Sequence, residues 1–528
     1  MLFINRRNIV LPLALFFILV LSLTVRAEDP VPLLTDYFDM LESGNYETAT
    51  MMWLPEDQER ATRFGIEYRD IPVRPDCASP IVQDLELYRN YMYQPVKRYE
   101  LLDHGAYAQL EYSQVVEGNQ VEHTYYVKKQ GDYYWLIFPQ DYFAASWPVK
   151  ETRYFRVHYH PDIEKFLNPV LFDEADRYID HMAKVLDYSK DDLKLLADTK
   201  IEFFYCNNDS TVTEITGQKT KGLFDVASND IISANFPHFH ELTHLLVNFK
   251  LRQLPLFTLP FMQEGAAVYY GGRWGKKPSA LFDLGIFIYR ENFVDLDSIL
   301  TIRGFRINSG ADISYPVAAI FTSYLEDKLG RDRYFELYRN FSGNYKELAI
   351  LTPIDIQNKI VSFTGMADWP SLKADFENYL NSKLDDVKMA APGGIDDGRV
   401  VLDNDNFKIS QDKNWLAFEF PGHDDTLFQG SLFFGRDNRL EGKNSLLFEE
   451  QFQGNQAFDG YRYGVRFDRN EAGLYDYGTN ELVAKFIWGI TPLEGYYDRD
   501  TNRIYIKFKT AVLGDKLPDF QDYKFLPL

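Results

Sequence analysis

In the stretch FHELTHLLVNF, Phe239–Phe249, His240 and His244 stand four residues apart and Glu241 follows the first of them. On an α-helix, positions i and i+4 lie one above the other on one face, so both imidazoles can aim at a single point while Glu241 sits one position round. Two convergent imidazoles suit a divalent ion such as Zn2+. A carboxylate beside them can reach a water held on that ion without being a ligand itself. With nine His in the chain, a chance His-Glu-x-x-His match has an expectation of roughly 0.01. The alternative is an ordinary amphipathic helix whose two histidines are simply hydrogen-bonded.

Catalytic zinc takes three protein ligands and leaves one position open, so a third ligand must come from elsewhere. After the first helix, RQLPLFTLPF carries Pro255 and Pro260 and reverses the chain, and QEGAAVYYGG then begins a second helix. Its Glu264 is far enough beyond His244 for a helix, a turn and an antiparallel helix to return the carboxylate to the histidines.

HELTH followed at this distance by EGAAVYY resembles the gluzincin (peptidase MA-like) zinc metallopeptidases, the group of thermolysin-like and aminopeptidase-N-like enzymes. The likeness covers roughly residues 150 to 385. It implies a mostly helical zincin domain with a small sheet, His240, His244 and Glu264 as zinc ligands, and Glu241 as general base in peptide hydrolysis by a zinc-activated water.

Downstream, NSGADISYPVAAIFTSYLEDKLG predicts a helix with Ser314 as N-cap, Pro316 near the first turn and Gly330 beyond the end, leaving Tyr315 at its mouth. Aminopeptidase-N-like enzymes use a tyrosine in a similar Ser-Tyr context to donate a hydrogen bond to the tetrahedral intermediate. The resemblance makes Tyr315 the candidate for that role, against a ring that only packs over a helix start.

The sequence departs from the family in two places. Thermolysin-like enzymes carry an aspartate four residues after the third ligand, where this chain has Val268, so the partner that orients the histidines is not identified. The segment GLFDVASNDIISANF contains nothing like the Gly-x-Met-Glu-Asn strand with which aminopeptidase-N-like enzymes capture a free amine.

The remaining candidates read as structural. His238 precedes His240 by two residues and would point elsewhere on a helix, which suits a surface or capping role. His158 and His160 alternate with Tyr159 on a strand. Asp403/Asp405 and Asp424/Asp425 match no EF-hand loop and read as solvated turns rather than calcium ligands.

The elements around these residues suggest several domains, since 528 residues exceed what one hydrophobic core holds. Arg6 and Arg7 precede an apolar run from Ile9 to Leu23, and Val25-Arg26-Ala27 ends in small residues, so residues 1–27 read as a cleaved signal peptide. The rival, an uncleaved anchor, needs a span of about 20 apolar residues, and the run is shorter.

Residues 28–148 read as an α+β accessory domain. Two helices broken at Gly44 lead into a meander, YAQLEYSQVV, VEHTYYVKK and YYWLIF, turning at Gly118 and Gly131. Helices followed by a curved antiparallel sheet resemble the nuclear-transport-factor-like class.

Residues 149–385 carry the peptidase-like domain, opening with ETRYFRVHYHP as a strand, then helical periodicity over Ile163–Leu186 and a buried strand at Lys200–Cys206. Residues 386–398 read as a linker. Residues 399–528 alternate as a C-terminal β-sandwich does, for example in YRYGVRF and RIYIKFK.

A net charge of −22 argues against a nucleic-acid partner, which needs clustered Lys and Arg. Only Cys77 and Cys206 are present, a pattern of stability by packing, with pairing between the two left open. No segment after the signal is apolar enough to span a membrane.

Together these features predict an exported, periplasmic or extracellular zinc metallopeptidase acting on a peptide or protein substrate. The alternative is a surface or periplasmic binding protein that recognises glycan or protein through its C-terminal domain and carries an inactive or weakly active peptidase-like scaffold.

Overall fold

The computed structural model describes residues 29–89, 98–116, 118–290, 292–308, 311–384, 399–412, 415–421, 430–440, 460–467, 471–479, 481–487, 495–498, 503–513 and 518–527. The signal-like segment 1–27, the linker 386–398 and the pair Asp424/Asp425 lie outside the described residues. Small sheets towards both ends of the chain flank a largely helical middle. Among the described residues no helix is long and apolar enough to cross a membrane.

The chain forms two compact units. The first takes in the described residues up to Pro161 together with Lys194–Ala234 and Arg252–Leu256. The second takes in Asp162–Leu193, Asn235–Leu251 and the described residues from Phe257 onward.

The first unit opens with α1, Val31–Ser43, which buries Leu33, Leu34, Tyr37, Phe38 and Leu41 at helical spacing and stops at Gly44 in the left-handed conformation. A four-stranded antiparallel meander follows: β1 Arg98–Leu102, β2 Tyr107–Val116, β3 Asn119–Gln130 and β4 Tyr133–Ile137. Alternation along β2 buries Ala108, Leu110 and Tyr112. The Phe38 ring packs edge-on against Tyr112 at 5.1 Å and Tyr125 at 6.0 Å. In the same core the carboxyl of Asp76 accepts hydrogen bonds from the hydroxyls of Tyr37 (2.7 Å) and Tyr125 (3.0 Å).

A second, five-stranded sheet has the order β5-β6-β7-β9-β8, from β5 Val149–Glu151, β6 Phe155–Tyr159, β7 Ile201–Tyr205, β8 Gly222–Asp225 and β9 Asp230–Ser233. The stretch expected as one strand, ETRYFRVHYHP, is a strand only from Phe155 to Tyr159; its first residue, Glu151, ends the antiparallel β5, and between them the Thr152 hydroxyl accepts the Phe155 N–H at 3.1 Å in the turn. β7 lies between two parallel neighbours and is buried at all five positions, its one charged residue, Glu202, being paired with Arg156 and His158. His158 bonds Glu202 at 2.7 Å and stacks on Phe204, a structural role.

Arginines tie this unit together. Arg63 donates to Asp230 Oδ1 at 2.8 Å and to the carbonyls of Ser228 and Asn229, and Arg74 donates to those of Val226 and Ala227. Removing one partner of so buried a pair costs about 3–5 kcal/mol. A short parallel pairing of Glu67–Tyr68 with Gln253–Leu254 completes the unit. Cys77 and Cys206 are unpaired, buried thiols whose pKa burial pushes up to about 12, so both are unreactive.

The second unit contains α2 Pro169–Val185, α3 Phe239–Leu251, α4 Pro260–Gly271, α5 Pro278–Arg290 and α6 Ala311–Leu329. α6 corrects one expectation. Ser314 is not its N-cap: the helix begins earlier, at Ala311, and both Ser314 and Pro316 lie inside it. The Ser314 hydroxyl donates instead to the Phe305 carbonyl at 3.1 Å, fastening the helix to the segment before it.

Beyond residue 398 come two five-stranded antiparallel sheets. Ile409, Phe418 and Ile506 of one and Leu432, Phe434, Val465 and Leu474 of the other share a single core. Along Tyr461–Phe467 the odd positions are buried while Arg462 and Arg466 are half-exposed, the alternation the sequence displays. The Asn168 side chain donates to the Tyr477 carbonyl at 3.3 Å, linking the start of α2 to these sheets.

Candidate metal centre

α3 is apolar nearly all round, burying Leu242, Leu245, Leu246, Val247, Phe249 and Leu251, and these side chains fix the helix so that His240 and His244 share one face. α2 braces it: the Tyr178 ring lies 4.5 Å from that of Phe239, and its hydroxyl meets Thr243 Oγ1, which donates to the Phe239 carbonyl at 2.7 Å. α4 starts at Pro260, whose fixed φ and missing N–H suit a first helical position. Its last turn presses against the first turn of α3 at Gly271, where a Cβ would stand 2.5 Å from the Phe239 carbonyl oxygen. Only glycine permits that approach, and it brings Glu264 to the histidines.

Glu264 Oε2 lies 3.1 Å from His240 Nε2 and 3.5 Å from His244 Nε2, and the two imidazole rings are 4.9 Å apart at 90°. One ligand atom from each residue falls within 4.8 Å of the others. Tetrahedral zinc with ligands at 2.0–2.1 Å separates its ligand atoms by about 3.3 Å, so the spacing suits such an ion. The side chains of His240, His244 and Glu264 are 2%, 10% and 20% exposed, which leaves the carboxylate the most open of the three.

The donor set also asks for a cation. His240 Nδ1 lies 3.0 Å from the Gly272 carbonyl, which can only accept, so Nδ1 carries the proton. A neutral ring then turns the lone pair of Nε2 towards the carboxylate oxygen of Glu264, an arrangement that a proton or a metal ion between them makes favourable. The Gly272 carbonyl is thus an orienting partner of the kind the sequence left unidentified, and Val268 belongs to an apolar cluster with Leu281 and Ala319.

With a proton rather than a metal ion between Glu264 and the rings, burial pushes the carboxyl of Glu264 up, but the His244 charge and hydrogen bonds from the imidazoles outweigh it and hold it well below the usual carboxylate range. Burial also opposes protonation of His244, and the Glu264 charge overrides it and raises the pKa. Glu241 stands in the first turn of α3 outside the three-residue cluster, near enough to act electrostatically on both His244 and Tyr315.

Tyr315 packs against the Val268 cluster, its ring 6.1 Å from His240 and 5.2 Å from Phe305. Burial, then the Glu264 charge, pushes its phenol up to about 12, so it keeps its proton at neutral pH. His238 is outside the cluster. Its carbonyl accepts the Leu242 N–H at 3.0 Å, a capping contact, while its half-buried ring is pushed down to about 4 by burial.

Arg273 is the residue that sequence reasoning missed. Its Nη1 lies 3.3 Å from His240 Nε2, and its guanidinium carbon is 3.5 Å from the Tyr315 ring centre. The signal was present in YYGGRW: paired glycines end α4, so the next side chain is set down beside the ligands.

No protein-family model matches the chain, and no curated protein matches it in sequence. The triad of His240, His244 and Glu264 nevertheless gives the chain a group able to hold a metal ion.

Proposed function

We propose that the chain is an exported zinc-dependent peptidase, with His240, His244 and Glu264 as ligands and Glu241 as general base. The observation that carries this reading is the convergence of two imidazole nitrogens and one carboxylate oxygen within 4.8 Å. Imidazole and carboxylate donors in that number suit zinc with an open position. When bound, the ion supplies Lewis acidity that polarises a carbonyl and acidifies water. Glu241 takes the proton of the attacking water and passes it to the leaving nitrogen. The Tyr315 phenol donates to the substrate oxygen as it gains negative charge, a bond worth most in the transition state.

Metal analysis of the purified protein, together with a mixed peptide library read by mass spectrometry, tests the proposal. About one zinc per chain and cleavage that stops on chelation are expected. Bound zinc without cleavage of any peptide would favour a binding protein built on a peptidase-like scaffold.

A further inference from the structure

Arg273 sits where no ligand or base is needed. It follows Gly272 and opens a tight turn to Lys276, closed by hydrogen bonds between Arg273 and Lys276, with Trp274 at φ 54° and Gly275 at φ 68°. The turn holds the guanidinium over the Tyr315 ring at 3.5 Å and near Trp274 at 5.5 Å. Its Nε is buried with no hydrogen-bond partner among the described residues, and Nη1 rests on His240 Nε2. Guanidinium carries five donors and no acceptor, and among the described residues only Nη1 of Arg273 has a hydrogen-bond partner. The His240 lone pair that serves Nη1 is also the one a metal ion would take, which would release that donor as well.

A second cation, Arg306, is close enough to Tyr315 to act on its phenol. In a chain of net charge −22, two arginines beside a cluster of carboxylates offset a field that would otherwise repel an anionic substrate.

We propose that Arg273, stacked on Tyr315, binds a carboxylate of the substrate and so makes the site selective for peptides that carry one within about a residue of the scissile bond. A planar fork on a rigid turn matches a carboxylate with two parallel N–H···O bonds. One residue of extended chain spans about 3.3–3.6 Å, which sets the reach from the metal ligands. The carboxylate is either a free C-terminus or an acidic side chain, since both present the same two oxygens. This proposal rests on the peptidase reading.

The experiment uses the full chain carrying Glu241→Gln, so that peptide remains intact, and reads binding by calorimetry. Three versions of one library-derived peptide are compared: with a free C-terminus, with an amidated C-terminus, and amidated with a Glu beside the cleavage position. A carboxylate-bearing peptide is expected to bind at least tenfold more tightly than the amide, and whichever form does so identifies the source. Adding Arg273→Gln should erase the difference. Arg273→Lys, which keeps charge and stem but loses the fork, should retain only part of it and guards against a folding defect, checked by thermal melting.

Equal binding of acid and amide, a preference that survives Arg273→Gln, or no binding by any of the three overturns the proposal. Failure of the peptidase reading has a different signature, namely no cleavage of any library member by the wild type. An arginine acting only on the oxyanion would lower kcat equally for acid and amide without changing their relative affinity, which also overturns carboxylate recognition.

Discussion

The carbonyl oxygen of Gly272 lies 3.0 Å from His240 Nδ1, so the helix that supplies Glu264 also orients the ring that faces it. Gly272 has φ 78°, and a Cβ there would collide with the Lys276 carbonyl. Gly272→Ala is therefore expected to displace the orienting carbonyl and weaken zinc binding about 10- to 100-fold with all three ligands intact. Competition with a chelating dye measures it. An affinity within twofold of wild type, in a protein that melts normally, removes the coupling.

Ligand and base should separate cleanly. His244→Ala leaves two protein ligands and is expected to lose the metal, whereas Glu241→Gln should keep both metal and fold and lose peptide hydrolysis, because an amide cannot accept the proton. Plasma spectrometry and peptide cleavage on both variants provide the readout. Equal zinc in His244→Ala and wild type contradicts the ligand assignment.

Tyr315→Phe preserves the ring under Arg273 and deletes only the hydroxyl. If the phenol steadies the developing negative charge, kcat should fall roughly 10- to 1000-fold with little change in KM. A kcat within about twofold of wild type leaves the ring a packing role only.

The first unit carries a pH-dependent stability term at Asp76. Burial, only partly offset by hydrogen bonds from Tyr37 and Tyr125, pushes this carboxyl up to about 7, against about 3.9 when unfolded. Between those values the folded state binds more protons, so stability is full below about pH 4 and falls as pH rises towards 7. Asp76→Asn keeps an acceptor for the tyrosines without the charge and should lose less stability across that range. Urea unfolding of both proteins at pH 5 and pH 8 tests this, and parallel pH dependence in the two refutes it.

How much the sequence displays depends on how locally each feature is determined. The i, i+4 spacing of His240 and His244 becomes a shared face in any helix, and the strand at Ile201–Tyr205 is apolar at four of its five positions because both its sides are covered, so both were legible. Glu264 needed only a turn and a second helix. Arg273 was hidden because its position follows from the positive φ of Gly272 and from a stacking partner 42 residues further on, at Tyr315. Ser314 misled because Ser-x-Pro imitates a helix start. The bond from its hydroxyl to the Phe305 carbonyl depends on tertiary packing that no local pattern reports.

The division of the chain between two compact units also bears on the order in which the protein can assemble as it is synthesised. The first unit uses Arg252–Leu256, whose pairing with Glu67–Tyr68 comes only after α3 has been made. His240 and His244 thus emerge while that unit is still incomplete, and Glu264 emerges just after its last segment. The metal-binding cluster therefore becomes available only once the first unit has everything it needs to fold, so a nascent chain stalled earlier would expose two histidines without the carboxylate that completes them.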